Sequence, residues 1–554
     1  MTRLQSLSTF ACALACASLA RAQTVFFSAD GAPHDRLGTS VAELGDVDGD
    51  GVPELLVGTP GYDFTSLGGA KVLSGATGVT LTAVVGPSTG TYMGFGNAVH
   101  ALGDVDGDGA PDFAVSTPFE SSASEINAGF VRVFSSTTGA LLLQLSGGIG
   151  DELFGTSVAA AGDLDGDGRA DLFVGVPGVD VGPVTSAGAV RAVSGLDGST
   201  LWQFAGSVLF EALGTRAVAA GDLDGDGVID VAAVGGSLPI RLQTISGTTG
   251  QMLYPIGPIA TASIVVSLAG GKDLDGDGIG DLALGDPFAN RVRTFSGANG
   301  APLATFTPSG SSCGLIYWGT DVALLDDRDG DGLADVAIHE ATGLIEVLSG
   351  VGGARLFSLR RAGASALAAS VDRDGDGRGD LLFGIPNAAD FAGRVQVVVD
   401  DAPQPVGTVL ALGDGTGAAC PCGNVGGAGQ GCATSTGSGA SLRGLGSASL
   451  ADVHFHLRTE GAPVGHLAVL FSAAQPANGG LGTPFGDGLK GLAGTLHRLD
   501  QKSLCAPVVD WTNLLGASIV PGASVYYQVW FRDPNGPCGG HANMTNVVAV
   551  TFAP

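Results

Sequence analysis

The sequence predicts an all-β chain: a seven-bladed β-propeller followed by a small disulfide-containing, β-sandwich-like domain. Three observations carry that expectation. A nine-residue motif with carboxylates at positions 1, 3, 5 and 9 and glycines at 4 and 6 occurs seven times, beginning at Asp46, Asp104, Asp163, Asp222, Asp273, Asp327 and Asp372. The starts recur every 45 to 59 residues, a period of propellers and arrays. Each copy sits in the same longer phrase of short apolar runs bounded by Gly, Pro and Ser, the pattern of strands joined by tight turns.

Along the chain, residues 1–22 read as a signal peptide: Arg3 opens it, Leu7 to Leu19 is apolar, and Ala20-Arg-Ala22 forms a small-residue cleavage site before Gln23. Residues 23–401 hold the repeats. A short apolar segment precedes each motif, as in Leu37-Gly-Thr-Ser-Val41 and Phe154-Gly-Thr-Ser-Val158. An apolar run ending in Gly and Pro follows it, as in Leu55-Leu-Val-Gly-Thr-Pro60 and Leu381-Leu-Phe-Gly-Ile-Pro386. A third strand then closes in a Ser-Gly-x-x-Gly turn (Ser74 to Gly78, Ser194 to Gly198), and a fourth leads to the next unit. The last unit lacks a fourth strand. Thr24-Val-Phe-Phe-Ser28, ahead of the first unit, is expected to supply it and so remove an exposed edge.

Four carboxylates in nine residues repel one another, and a hard cation is the natural remedy; calcium accepts six to eight oxygens at about 2.3–2.6 Å. The candidate ligands are Asp46, Asp48, Asp50 and Glu54; Asp104, Asp106, Asp108 and Asp112; Asp163, Asp165, Asp167 and Asp171; Asp222, Asp224, Asp226 and Asp230. They continue with Asp273, Asp275, Asp277 and Asp281; Asp327, Asp329, Asp331 and Asp335; Asp372, Asp374, Asp376 and Asp380. That implies about seven Ca2+ ions. An EF-hand is excluded, because it needs a glutamate at position 12 and this chain has Val57, Val115, Val174, Ala233, Leu284, Ile338 and Phe383 there.

Motif and surrounding phrase together resemble the FG-GAP repeat of the integrin alpha-subunit propeller, over about residues 24–400. The resemblance implies that carboxylates 1, 3, 5 and 9 and the position-7 carbonyl bind calcium in the hairpin between strands one and two. The phrase departs from the family pattern in units four to six, where Gly235-Gly-Ser237 lacks the proline and Ala337-Ile-His-Glu340 lacks both Gly and Pro. Saturated ligand sets make the ions structural rather than catalytic. Strand parity puts the calcium hairpins and the Ser-Gly-x-x-Gly turns on one face. The resemblance makes the opposite face the ligand-binding one, with Tyr62, Phe64, Tyr92 and Phe119 as candidates. Arg378-Gly-Asp380 spells an adhesion tripeptide, but Asp380 is a position-9 ligand and the triplet is expected to be locked in its loop.

Net charge is −29, and −31 for residues 23–554, which excludes nucleic acid as a partner. No stretch beyond the amino terminus has the 18 or more apolar residues of a transmembrane helix. The mature chain is expected to be secreted or extracytoplasmic, free or associated with the cell surface. Its expected partner is an extracellular protein or glycan.

Residues 402–406 read as a linker. In 407–554 the calcium motif is absent, and Cys420, Cys422, Cys432, Cys505 and Cys538 point to disulfides. The expected bonds run from the 420–422 pair to Cys432 and from Cys505 to Cys538. Runs such as His466 to Phe471 and Val525 to Trp530 read as strands of a sandwich. The phrases Cys420-Pro-Cys-Gly-Asn424, Phe485-Gly-Asp-Gly488 and Tyr527-Gln-Val-Trp-Phe-Arg-Asp533 resemble a carboxy-terminal module common in exported planctomycete proteins, which implies no activity.

The leading functional expectation is a secreted, calcium-stabilised binding or adhesion module. The alternatives are a carbohydrate-active hydrolase or lyase working on the face opposite the calcium loops, and a purely structural envelope protein. No Ser/His/Asp or paired-carboxylate set stands apart from the metal loops, which weighs against the enzyme.

Overall fold

A computed structural model of the protein describes residues 22–61, 67–87, 94–236, 240–260, 267–308, 317–350, 352–361, 363–373, 378–401, 407–410, 413–416, 418–445, 456–504, 508–511 and 522–552. The signal-peptide reading (apart from Ala22), the linker 402–406, Cys313 and Cys505 fall outside the described residues.

Each repeat unit is a four-stranded antiparallel sheet, paired in chain order. The first comprises Val41–Gly45, Glu54–Thr59, Gly69–Leu73 and Thr80–Val85. The next five begin with Ala98–Ala101, Ser157–Gly162, Arg216–Gly221, Ser267–Lys272 and Trp318–Leu325. The seventh takes Ala366–Ser370, Asp380–Ile385 and Arg394–Asp401, and its fourth strand is Ala22–Asp30, antiparallel to Arg394–Asp401 with Phe27 opposite Val397. The amino-terminal strand thus completes the last blade, as the sequence predicts. These sheets are blades 1 to 7. The first strand of each blade packs on that of the next, and the first strand of blade 7 packs back on that of blade 1, so the ring is closed. Blades 4 to 6 keep all four strands although their phrase departs from the pattern.

The pattern of burial explains the sequence. Second strands are continuous apolar runs because blades cover both of their faces; every residue of Glu54–Thr59, Asp171–Val176 and Asp281–Asp286 is buried. Fourth strands form the rim and are half exposed. The recurrent glycine of the second strand marks the closest contact between blades. A Cβ at Gly58, Gly175, Gly285 or Gly384 would lie 2.1, 2.1, 2.2 or 1.9 Å from the carbonyl oxygen of Gly96, Gly214, Gly319 or Gly38, respectively, on the next blade. The Ser of the preceding phrase fastens the same carbonyls: Ser157 Oγ donates to Gly214 O at 2.9 Å and Ser267 Oγ to Gly319 O at 3.0 Å.

Beyond the ring, Thr408–Leu410, Val547–Thr551, Ser524–Arg532, His466–Ala473 and His497–Leu504 form one sheet, with Ala542–Met544 paired to its middle strand. Ser441–Leu445, His456–Glu460 and Val508–Trp511 form a second. Leu442, Leu457 and Trp511 of the smaller sheet close a core with Leu470, Val529 and Phe531 of the larger, which is a sandwich. Arg458 Nη2 donates to Ser358 Oγ at 2.6 Å and ties the sandwich to the outer strand of blade 6.

The disulfides are Cys420–Cys432 and Cys422–Cys538. The first agrees with the sequence reading. The second corrects it, because Cys538 bonds Cys422 and not Cys505: residues 533–541 fold back onto the Cys420–Asn424 segment.

Candidate metal centres

The acidic loops share one geometry. The position-1 carboxylate accepts from both glycines: Asp163 Oδ1 from Gly166 N at 2.7 Å and Oδ2 from Gly168 N at 2.9 Å, with the same pair at Asp46, Asp104, Asp222, Asp273 and Asp327. Those glycines have φ between +79° and +94°, conformations that L side chains avoid. Position 3 accepts from the amide of position 5, and position 5 from that of position 7, as in Asp167 N to Asp165 (3.1 Å) and Arg169 N to Asp167 (2.8 Å). These bonds hold the carboxylates of each loop in place.

The ninth residue behaves differently because it opens the second strand or, as Asp112 does, stands immediately before it. Glu54, Asp112, Asp171, Asp230, Asp281, Asp335 and Asp380 are all buried. One oxygen accepts from the position-2 amide, as Asp230 does from Leu223 N at 2.7 Å. In blades 2 to 6 the other accepts from the turn between strands three and four: Ser136, Gly195, Gly247, Gly297 and Gly350 donate at 2.7–3.2 Å. The acid therefore stitches both turns of a blade together, on one face as strand parity requires. Burial pushes these carboxyls up, helped by neighbouring acids: Asp112 and Asp281 to about 6, Asp335 to about 7, with Glu54, Asp171 and Asp230 also raised.

Six groups of acids among the described residues lie close enough to hold a metal ion. They include Asp46, Asp48, Asp50 and Glu54; Asp104, Asp106 and Asp108; Asp163, Asp165 and Asp167; Asp222, Asp224 and Asp230; and Asp273, Asp275 and Asp281, each with ligand oxygens within 4.8 Å of one another. An all-oxygen donor set with a buried, electrostatically strained carboxylate fits a hard divalent cation. In the seventh loop Asp374 and Asp376 lie outside the described residues; Asp380 Oδ2 accepts from Arg373 N at 2.9 Å, and its burial keeps the Arg378-Gly-Asp380 triplet from being presented.

On the other face, Tyr62, Phe64 and Tyr92 lie outside the described residues, and Phe119 is 69% exposed. The structure adds residues that sequence reasoning missed. Ile126 (70%), Ile149 (65%), Leu209 and Phe210 (55% each) are exposed on loops of the same face. Adjacent loops are joined there, Asp151 N donating to Ile126 O and Phe210 N to Thr185 O.

A second set of acids also escaped notice. Glu120 pairs with Arg132 (2.6 and 2.7 Å, both buried), Glu152 with Arg191 (3.2 Å), Glu211 accepts from Gln243 (2.7 Å), and Asp35 pairs with Lys71 (2.9 Å). These acids are committed to third-strand side chains rather than to a metal ion. For all but Glu120 the signal was an acid two residues before Leu/Phe-Gly, as in Glu152-Leu-Phe-Gly155 and Glu211-Ala-Leu-Gly214.

Residues 38–74, 95–134 and 154–193 match the FG-GAP repeat. The chain is thus a β-propeller in which three blades carry segments that match the FG-GAP repeat. The propeller is similar to those of integrin alpha chains: it is 33% identical over 163 residues to integrin alpha pat-2 of Caenorhabditis briggsae (26% of this chain, 13% of the relative) and 32% identical over 151 residues to integrin alpha-5 of Xenopus laevis (24% and 14%). Integrin alpha pat-2 of Caenorhabditis elegans is 29% identical over 271 residues (46% and 18%). The matched regions span less than a fifth of each relative's length. The acidic clusters of the propeller suit divalent cations. Among the described residues no helix is long and apolar enough to cross a membrane.

Proposed function

We propose that this protein is an exported calcium-binding propeller that serves as an extracellular binding or adhesion module. Seven structural Ca2+ ions, one per strand 1–2 hairpin, rigidify one face, and the opposite face receives an extracellular protein or glycan. The observation that carries the reading is the division of labour between the faces. The acidic face is consumed by loop-building bonds, while the other exposes Phe119, Ile126, Ile149, Leu209 and Phe210 on loops cross-linked by backbone hydrogen bonds. Exposed apolar side chains grouped on one surface mark an interaction site.

Export is supported by the two disulfides and by the small-residue cleavage site ahead of Gln23. The division into a leader at 1–22, a propeller at 23–401, a linker at 402–406 and a terminal domain at 407–554 is part of the same proposal. The test is retention on arrays of glycans and extracellular-matrix proteins, in calcium and in chelator. Calcium-dependent retention supports the binding module. Product formation from a glycan makes it an enzyme, and neither outcome leaves an envelope scaffold.

A further inference from the structure

Two carboxylates in the carboxy-terminal sandwich have no part in the propeller. Asp487 sits at the tip of the hairpin Thr483–Phe485 and Gly488–Lys490, and Asp533 follows the strand Ser524–Arg532. Both are 0% exposed. Asp487 Oδ1 accepts from Gly540 N at 2.6 Å, and Asp533 Oδ2 from Ser435 N at 2.9 Å. The second oxygen of each, Asp487 Oδ2 and Asp533 Oδ1, is buried with no hydrogen-bond partner, and so is Asn424 Oδ1. Neither carboxylate forms an ion pair among the described residues.

The three residues are linked through shared neighbours around one short loop. Asn424 Nδ2 donates to the Asp487 carbonyl at 2.7 Å and to Ala433 O at 2.9 Å, two residues from the Ser435 amide that holds Asp533. Asp533 N donates to His541 O and Gly536 N to Asp533 O. The place of a Cβ on Gly536 is filled by Asp487 Oδ2, 1.9 Å from it, so both acids abut the same few residues. Cys422–Cys538 ties the Asn424 segment to that loop.

Buried carboxylates are ordinarily paired with a cation or coordinate a metal. Here two lie in one loop cluster, each with an orphaned oxygen. The orphaned atoms are all oxygens, with no sulfur or imidazole among them, which selects a hard cation over zinc. We propose that Asp487 Oδ2, Asp533 Oδ1 and Asn424 Oδ1 form a calcium site distinct from the propeller loops. Its ion pins the 483–490 hairpin, the 533–541 loop and the Cys420–Asn424 segment to one another.

The test is the number of calcium ions held by the full chain, counted by native mass spectrometry after chelation and reloading. Asp487→Asn, Asp533→Asn and the double variant should each hold one ion fewer than the parent, with the propeller ions as internal control. A folded variant that holds the parental number overturns the proposal. Should the variants fail to fold, crystals of the parent soaked in a lanthanide decide: an anomalous peak bridging Asp487 and Asp533 sustains the site, and its absence beside occupied propeller loops removes it.

Discussion

Arg373 of blade 7 and Glu43 of blade 1, 330 positions apart in sequence, meet at 3.3 Å between Nη2 and Oε2. The guanidinium side chain is fully buried and also donates to Pro53 O at 2.8 Å and Ser370 Oγ at 2.8 Å. Glu43 accepts further from Ser370 Oγ and Val371 N. The seam of the ring is thus closed by side chains as well as by the amino-terminal strand.

Removing one partner of such a pair leaves the other buried without a countercharge, at about 3 kcal/mol. Glu43→Gln and Arg373→Met should each lower the unfolding free energy by about that amount, and the double variant by clearly less than the sum. Chemical denaturation of all three measures the coupling; strict additivity would show that the contact does not hold the seam.

Glycines of two kinds should respond differently to alanine. At Gly58 a Cβ would collide with the backbone of the next blade, a fixed obstacle, so Gly58→Ala should cost about 3 kcal/mol through overpacking. At Gly49 nothing lies within 4 Å, and only the +79° φ is at stake, about 1 kcal/mol. Melting temperatures of the two variants, compared at saturating calcium, check the ranking.

Calcium and pH should act on the same carboxyls. Without metal, Asp112 and Asp281 titrate near 6 and Asp335 near 7, above the 3.8 of an ordinary aspartate. The stability they give as neutral acids is complete below about pH 4 and is lost as pH rises through 6 to 7. His100 and His339, buried and held near 4, act in the opposite direction: their contribution is lost as pH falls below 6.5. The histidines are common to both metal states, so the difference between calcium-loaded and chelated melting temperatures isolates the carboxylates. That difference should grow from pH 5 to pH 8, and a constant difference would contradict the role given to the ninth position.

On the opposite face, Phe119 should matter for binding and not for folding. Phe119→Ser should move stability by less than about 0.5 kcal/mol, as for exposed positions generally. It should nonetheless weaken retention of whatever ligand the arrays identify. Its neighbour Glu120 should behave in reverse, since Glu120→Ala strands a buried Arg132 and lowers the melting temperature.

Blade number, strand order and the closing amino-terminal strand were legible because each rests on local signals repeated seven times. The loops were legible for the same reason: Asp, Gly and their spacing encode the turn directly. What escaped is what depends on long-range approach. Glu152 meets Arg191 across 39 positions, and Cys538 meets Cys422 across 116, and the local phrase around each residue does not name its partner. The exposed row from Phe119 to Phe210 was partly missed for another reason. Ile126, Ile149 and Leu209 read as ordinary apolar residues, and only the fold shows that nothing covers them.

The pairing of Arg394 with Asp30 joins positions 364 apart, across the same two strands that finish blade 7. Within the ring, the strand synthesised first therefore pairs with the one synthesised last. Blades 1 to 6 can form in the order in which they emerge, but the seventh waits for the whole ring, with a bare edge at one end and a loose strand at the other. Closure is then a single late event that converts a row of sheets into one cooperative body. A chain interrupted before Arg394 would carry an unpartnered edge open to pairing with other chains.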